Sequence, residues 1–295
     1  MPQTKRPPAT RRSWLFLPGA EAAALMQAPA LGADVLIQEL EDAVPAHRRA
    51  EARAISAGVL DGWRAAGVIA TVRINPLETG GIEDLAAAMP GRPDAVLMAM
   101  VNSPEQVGEL DEALHRFERD LGLPIGATEI VPNVETAAGL VRTREIAAAS
   151  PRVTALLVAA EDMAADLGAE RTPGCGELAY VRSRFLVECV AAGMVAIDCP
   201  YTFSDLGQAE LDLRFARGLG YKAKSIVNVD QVGLVNRLLT PTDEEVQRAT
   251  RLTAAFEAAR AEGQDRVALD GLMVEVPTYR AAKRLLARAV ELGAN

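Results

Sequence analysis

The chain has 295 residues, 49% of them apolar, and 40 acidic against 31 basic side chains for a net charge of −9. This globular composition excludes disordered, collagenous and coiled-coil chains. The acidic balance without a basic run argues against nucleic-acid binding, and no apolar run reaches the ~18 residues of a membrane span. The first segment, MPQTKRPPATRR, is basic and Pro-rich but has no apolar core, so it is no secretory signal and residues 1–11 read as a flexible arm. Cys175, Cys189 and Cys199 form no CxxC pair, which argues against zinc and disulfides and points to a reducing cytoplasm. His47 and His115 lie in polar helical stretches and read as surface positions. Chemistry then falls to carboxylates, arginine or a metal ion.

Short apolar runs alternate with longer helical patterns. Strands are predicted at 13–19, 34–40, 68–75, 95–101, 125–135, 153–162, 194–200 and 221–228, each followed by a helix. The runs lack period-2 alternation, as expected for strands buried on both faces. Eight such units predict a (β/α)8 TIM barrel over 12–240, with 241–295 as a C-terminal helical lid or oligomerisation arm. A doubly wound sheet is the rival, but its glycine-rich phosphate turn is absent: PGAEAA comes after the first strand.

In a barrel, strand C-termini face the active site. Those ends carry Glu39, Glu41 and Asp42; Arg73 and Asn75; Met100 and Asn102; Glu135; Glu161 and Asp162; Asp198; and Lys224 and Asn228. So many carboxylates at one rim call for positive charge, and Mg2+ supplies it with oxygen ligands and retained water. The structural alternatives are that Asp42 caps the next helix, that Glu41 pairs with Arg48 or Arg49, and that Arg73 pairs with Glu39 or Glu41.

The segments RSWLFLPG (12–19), LGADVLIQELEDAV (31–44), VRINPL (72–77), VETAAGL (134–140), AEDMAADLGAERTP (160–173), LAYVRSRFLVECVAAG (178–193), AIDCPYT (196–202) and DGLMVEVP (270–277) carry a resemblance. In order and spacing the chain resembles the citrate lyase β-subunit-like branch of the HpcH/HpaI aldolase superfamily, which includes malyl-CoA and citramalyl-CoA lyases. The resemblance implies a Mg2+-dependent carbon–carbon lyase, with Mn2+ as an alternative ion, releasing or using glyoxylate, pyruvate or a similar 2-oxo acid. It implies metal ligands Glu135 and Asp162, catalytic Arg73, Glu41, Asp42 and Glu275, and substrate contacts from Arg73, Asn75, Ala160, Glu161 and Asp162. It also implies a homo-oligomer, most often a trimer, whose C-terminal lid reaches a neighbouring subunit.

The chain departs from the pattern at several places. The usual lid Asp is Glu275, one methylene longer. The usual Pro-Lys-Val-Glu after the fourth strand is Ala99, Met100, Val101 and Asn102. His-Pro after the eighth is Asn228 and Val229, and the first loop lacks basic residues. These changes remove positive charge where CoA phosphates would bind. Three readings stay open: a CoA-thioester lyase, the same chemistry on a CoA-free 4-hydroxy-2-oxo acid or carrier-bound acid, and a binding paralogue that has lost turnover.

Overall fold

The computed structural model describes residues 5–293. Eight parallel strands close into a barrel in chain order: β1 (Ser13–Pro18), β2 (Val35–Glu39), β3 (Ile69–Ile74), β4 (Ala95–Met98), β5 (Glu129–Val134), β6 (Ala155–Val158), β7 (Val195–Asp198) and β8 (Ala223–Ile226). The ring is sealed where Ser13, Trp14 and Leu15 pair with Lys224, Ser225 and Ile226. The lumen is filled by Trp14, Val35, Ile37, Ile69, Ala95, Leu97, Val131, Ala155, Leu157, Ile197 and Ala223. The intervening residues face the surrounding helices, so both faces are dry and the period-2 signal is lost from the sequence.

The helices that come after the strands are α1 (Ala22–Gln27), α2 (Arg49–Ala65), α3 (Gly81–Ala88), α4 (Pro104–Asp120), α5 (Ala137–Val141), α6 (Thr143–Ala148), α7 (Glu161–Leu167), α8 (Ala179–Ala191), α9 (Leu206–Leu219) and α10 (Val232–Leu238). α4 opens with a capping box in which Ser103 and Gln106 satisfy each other's backbone amides. The strand expected from residue 125 starts at Glu129 instead. Residues 124–128 form a turn with Gly126 at φ 84°, and the buried Glu118 accepts the Gly126 and Thr128 amides.

Of the N-terminal arm, residues 1–4 lie outside the described residues, while residues 5–11 are anchored rather than free. Pro8–Thr10 forms a 3-10 turn. Arg11, 1% exposed, forks onto Glu129 at 2.7 and 2.9 Å, and Lys5 reaches Glu129 at 2.8 Å. Glu129 shares the lumen side of β5 with Val131, so this ion cluster closes the N-terminal mouth of the barrel.

The chain divides into two compact units, Met1–Asn236 and Arg237–Asn295. The second holds α11 (Asp243–Ala261), a hairpin of β9 (Val267–Leu269) and β10 (Leu272–Val274), and α12 (Val276–Leu292). Asp270 and Gly271 turn the hairpin at φ 51° and 76°, the left-handed pair that a two-residue connection requires. Phe256 and Tyr279 stack at 4.8 Å in a core with Leu252, Val274 and Ala282. No helix among the described residues is long and apolar enough to cross a membrane.

Candidate active site

A cavity of about 430 Å3 opens at the C-terminal ends of the strands. Its lining includes Glu39, Asp42, Arg73, Glu135, Ala160, Glu161 and Asp162. Arg73 sits at its centre. Nε pairs with Glu39, Nη2 lies 2.8 Å from Glu41 and Nη1 lies 3.5 Å from Glu135. The guanidinium carbon stands 5.2 Å from the Phe16 ring centroid, a cation–π contact from the lumen residue of β1.

Glu135 comes directly after the last residue of β5 and is 1% exposed. Its Oε2 accepts the Met100 amide at 3.1 Å. Met100 presents that amide from a left-handed backbone, φ 55°, which costs a non-glycine residue strain and is tolerated where the surroundings enforce it. Burial pushes the Glu135 carboxyl up to about 8, against Arg73, with Asp162 and Glu41 pushing the same way. Burial and the charge of Asp42 likewise raise Asp162. Burial raises Glu39, and burial with Glu39 and Asp42 beside it raises Glu41 to about 7, in both cases against the pull of Arg73.

One guanidinium therefore faces a surplus of carboxylates. The set suits a hard divalent cation, which takes one or two protein oxygens and keeps several waters. Glu135 and Asp162, which line one cavity and of which Asp162 helps to push the Glu135 carboxyl up, are the carboxylates placed to hold it. Among the described residues, no three His, Cys, Asp or Glu side chains form a complete metal cage, and such an ion does not need one.

Not every expected site residue lies on the cavity. Asn75 is 3% exposed, and its amide donates to the Leu40 carbonyl and to Asp84 at 2.9 and 2.8 Å. It ties the loop after β3 to α3 and does not line the cavity. Glu41 acts on the cavity through Arg73, while Arg48 pairs with Glu21 and Glu51. Asp42 caps no helix and lines the cavity instead. Glu275 is the N-cap residue just before α12 in the second unit, exposed and without a capping bond from its side chain. Asn102 accepts a hydrogen bond from Thr136, and Asn228 caps the turn at Val229–Gln231.

Asp198 and Lys224 were expected at the rim and lie elsewhere. Ile197 and Ala223 fill the lumen, so their neighbours Asp198 and Lys224 face outward under α8 and α9. There Lys224 donates to Asp198, Asp212 and the Cys199 carbonyl at 2.7–2.8 Å, and Arg182 bridges the same two carboxylates. The amine is fully engaged and away from the cavity, which removes it as a Schiff-base nucleophile. Conversely, Phe16, the Met100 amide, Thr202, Pro200 and Val227 belong to the site and were not singled out. Lumen parity from Trp14 would have found Phe16; a backbone amide carries no residue-type signal.

The family description HpcH/HpaI aldolase/citrate lyase matches residues 12–229. The chain belongs to the HpcH/HpaI aldolase/citrate lyase family. It is 33% identical to the citrate lyase subunit beta of Escherichia coli (strain K12) over 97% of this chain and 95% of that one. It is 28% identical to the mitochondrial citramalyl-CoA lyase of Mus musculus over 96% and 87%. The family is thus one of carbon–carbon lyases. Among solved structures, the CitE protein of Mycobacterium tuberculosis in complex with magnesium, acetoacetate and coenzyme A superposes with a TM-score of 0.76 at 28% identity, over 96% of this chain and 99% of that one. That protein was also solved with oxaloacetate and magnesium.

Proposed function

We propose that this protein is a Mg2+-dependent carbon–carbon lyase that cleaves or forms a 3-hydroxyacyl thioester such as malyl-CoA or citramalyl-CoA, with glyoxylate or pyruvate as the 2-oxo acid. The observation that carries this reading is the meeting of Glu135, Asp162 and Arg73 in one cavity. Glu135 and Asp162 would hold the cation, which supplies Lewis-acid polarisation and a template for a carboxylate and its neighbouring oxygen. Magnesium, acetoacetate and coenzyme A in a relative support the ion and the thioester.

The chain's own residues then have defined tasks. Glu39 and Glu41 lock the guanidinium of Arg73 in one orientation. Retro-aldol cleavage moves the bonding electrons of the broken C–C bond into an enolate on the thioester fragment. Arg73, charged at every working pH, is the donor placed to stabilise that oxyanion. The Met100 amide holds one oxygen of Glu135 so that the carboxylate enters the reaction in a fixed rotamer. Asp42 would orient water at the cation. Glu275 is proposed as the acid/base that takes the 3-hydroxyl proton as the C–C bond breaks and returns it to the enolate carbon, delivered by the C-terminal unit acting as a lid in a homo-oligomer.

The test is release of glyoxylate or pyruvate from the two thioesters with added Mg2+. Glu135→Gln and Asp162→Asn should each lower turnover more than about 100-fold and weaken Mg2+ binding in calorimetry, with thermal unfolding little changed. Full activity in either variant overturns the ligand assignment. The first loop and Asn228 lack the positive groups that favour CoA phosphates, which gives the CoA-free 4-hydroxy-2-oxo acid its standing as a second reading. Turnover of such an acid with no CoA binding would select it.

A further inference from the structure

One face of β5 carries Glu129, Val131 and Asn133 up the lumen, and Glu135 comes next on that face. Glu129 is held at the lower mouth by Arg11 and Lys5, Val131 packs in the core, and Glu135 lines the cavity. Asn133 lies between the last two and is 0% exposed. Side chains of alternate strands share a layer in such a barrel. The strand registers put Asn133 in the layer of Phe16 and Arg73, two residues that line the cavity.

Neither the nitrogen nor the oxygen of the Asn133 carboxamide has a hydrogen-bond partner among the described residues. By contrast Thr71 and Ser225, also on the lumen face, donate to the Leu36 and Asp198 carbonyls at 2.9 and 2.8 Å. A carboxamide can donate twice and accept twice, and burying it with none of these bonds made is costly. An apolar side chain would fill the position without that cost. A buried polar group of this kind calls for a partner from outside the chain, and water is the partner that fits a position closed to the cavity.

Glu135 supplies the other end. It stands two residues on, ~7 Å along the same face, a spacing that one bridging water spans. Its Oε2 accepts the Met100 amide at 3.1 Å, but Oε1 has only Nη1 of Arg73 at 3.5 Å, too long for a strong hydrogen bond. Leu97 pairs in register with Val131, and Leu157 with Asn133. Two residues beyond, Ala99 and Ala159 continue the lumen faces of β4 and β6. The flanking strands therefore put only methyl groups beside the carboxamide and the carboxylate.

We infer that Asn133 is a positioning residue that holds buried water in the layer of Phe16 and Arg73, one molecule of which bridges its carboxamide to Oε1 of Glu135. With Oε2 on the Met100 amide and Oε1 on this water, the carboxylate is fixed at both oxygens. The consequence for the cation rests on the metal-dependent reading above: Glu135 is held in the rotamer that would meet it. Groups that orient a metal ligand in this way typically change affinity about 10–100-fold when removed.

The experiment pairs a crystal structure of the unaltered full chain with Mg2+ titration calorimetry on Asn133→Leu and Asn133→Ser. The crystal structure should show an ordered water within hydrogen-bond distance of both Asn133 and Glu135. Asn133→Leu copies the shape of the side chain without its polar atoms. It should leave the thermal midpoint unchanged or raise it, yet bind Mg2+ at least about 10-fold more weakly. Asn133→Ser keeps a hydroxyl for the water and should bind within about threefold of the unaltered chain. A merely structural asparagine predicts the reverse, with no loss of Mg2+ affinity in Asn133→Leu. Equal Mg2+ binding by the unaltered chain and Asn133→Leu overturns the inference and leaves the metal site standing. So does a crystal structure in which Asn133 and Glu135 share no water, and that result decides the matter if Asn133→Leu does not fold. If Mg2+ fails to bind the unaltered chain, the metal-dependent reading falls and takes the consequence for the cation with it, while the crystal structure still decides the bridge.

Discussion

Arg73 meets three carboxylates through three nitrogens, and a lysine in its place would offer one ammonium to Glu39, Glu41 and Glu135. Arg73→Lys should therefore keep the net charge and lose more than about 100-fold in kcat, with a smaller change in KM, measured as 2-oxo acid release. Asn75 calls for the opposite result. Its amide satisfies Asp84 and the Leu40 carbonyl inside the protein, so Asn75→Ala should lower stability by about 1–3 kcal/mol in urea unfolding and leave KM within twofold. A large rise in KM would return Asn75 to the cavity. The two residues look alike in sequence, each a polar group at the end of the third strand. What separates them is Asp84, one turn into α3, whose position no local pattern reveals. The carboxylates and Arg73 were legible because acidic residues at strand ends are conspicuous. The Met100 amide was not, because every residue but proline carries one.

Successive strand residues alternate between faces, so a polar residue near a strand end faces the cavity only if its parity is that of the lumen residues. At β7 and β8 Asp198 and Lys224 come directly after lumen residues and so point under the helices. The network they form with Arg182 and Asp212 joins the barrel wall to α8 and α9. Removing one member leaves buried charge uncompensated. Lys224→Met should cost about 3–5 kcal/mol in chemical denaturation, and borohydride with pyruvate should trap no adduct on the unaltered protein. At β1 and β2 the constraint is steric instead. A Cβ on Gly19 would stand 2.0 Å from the Glu39 carbonyl oxygen. The Pro-Gly turn there lets the backbone pass close to the strand that carries Glu39.

For the molecule as a whole, the count and order of βα units were legible from the alternation of short apolar runs with longer amphipathic ones. The anchoring of residues 5–11 was not, since a Pro-rich basic segment looks solvated until Glu129 is placed beneath it. That anchor has a pH signature. Burial pushes Glu129 up, but hydrogen bonding and charge from Arg11 and Lys5 outweigh it and hold the carboxyl at about 2. Its contribution, up to about 3 kcal/mol, is complete above the ordinary value near 4.5 and is lost as pH falls toward 2. Unfolding free energy measured from pH 6 down to pH 3 should decline, and Glu129→Gln should flatten that decline; an unchanged slope would remove the anchor from the account. Closure of the ring between β1 and β8 also bears on how the protein is made. Trp14 cannot meet Ser225 until the ribosome has added some two hundred residues, at ~5–20 residues per second. For those seconds β1 offers an open edge to any passing chain, and the nascent polypeptide needs shelter until its last barrel strand emerges.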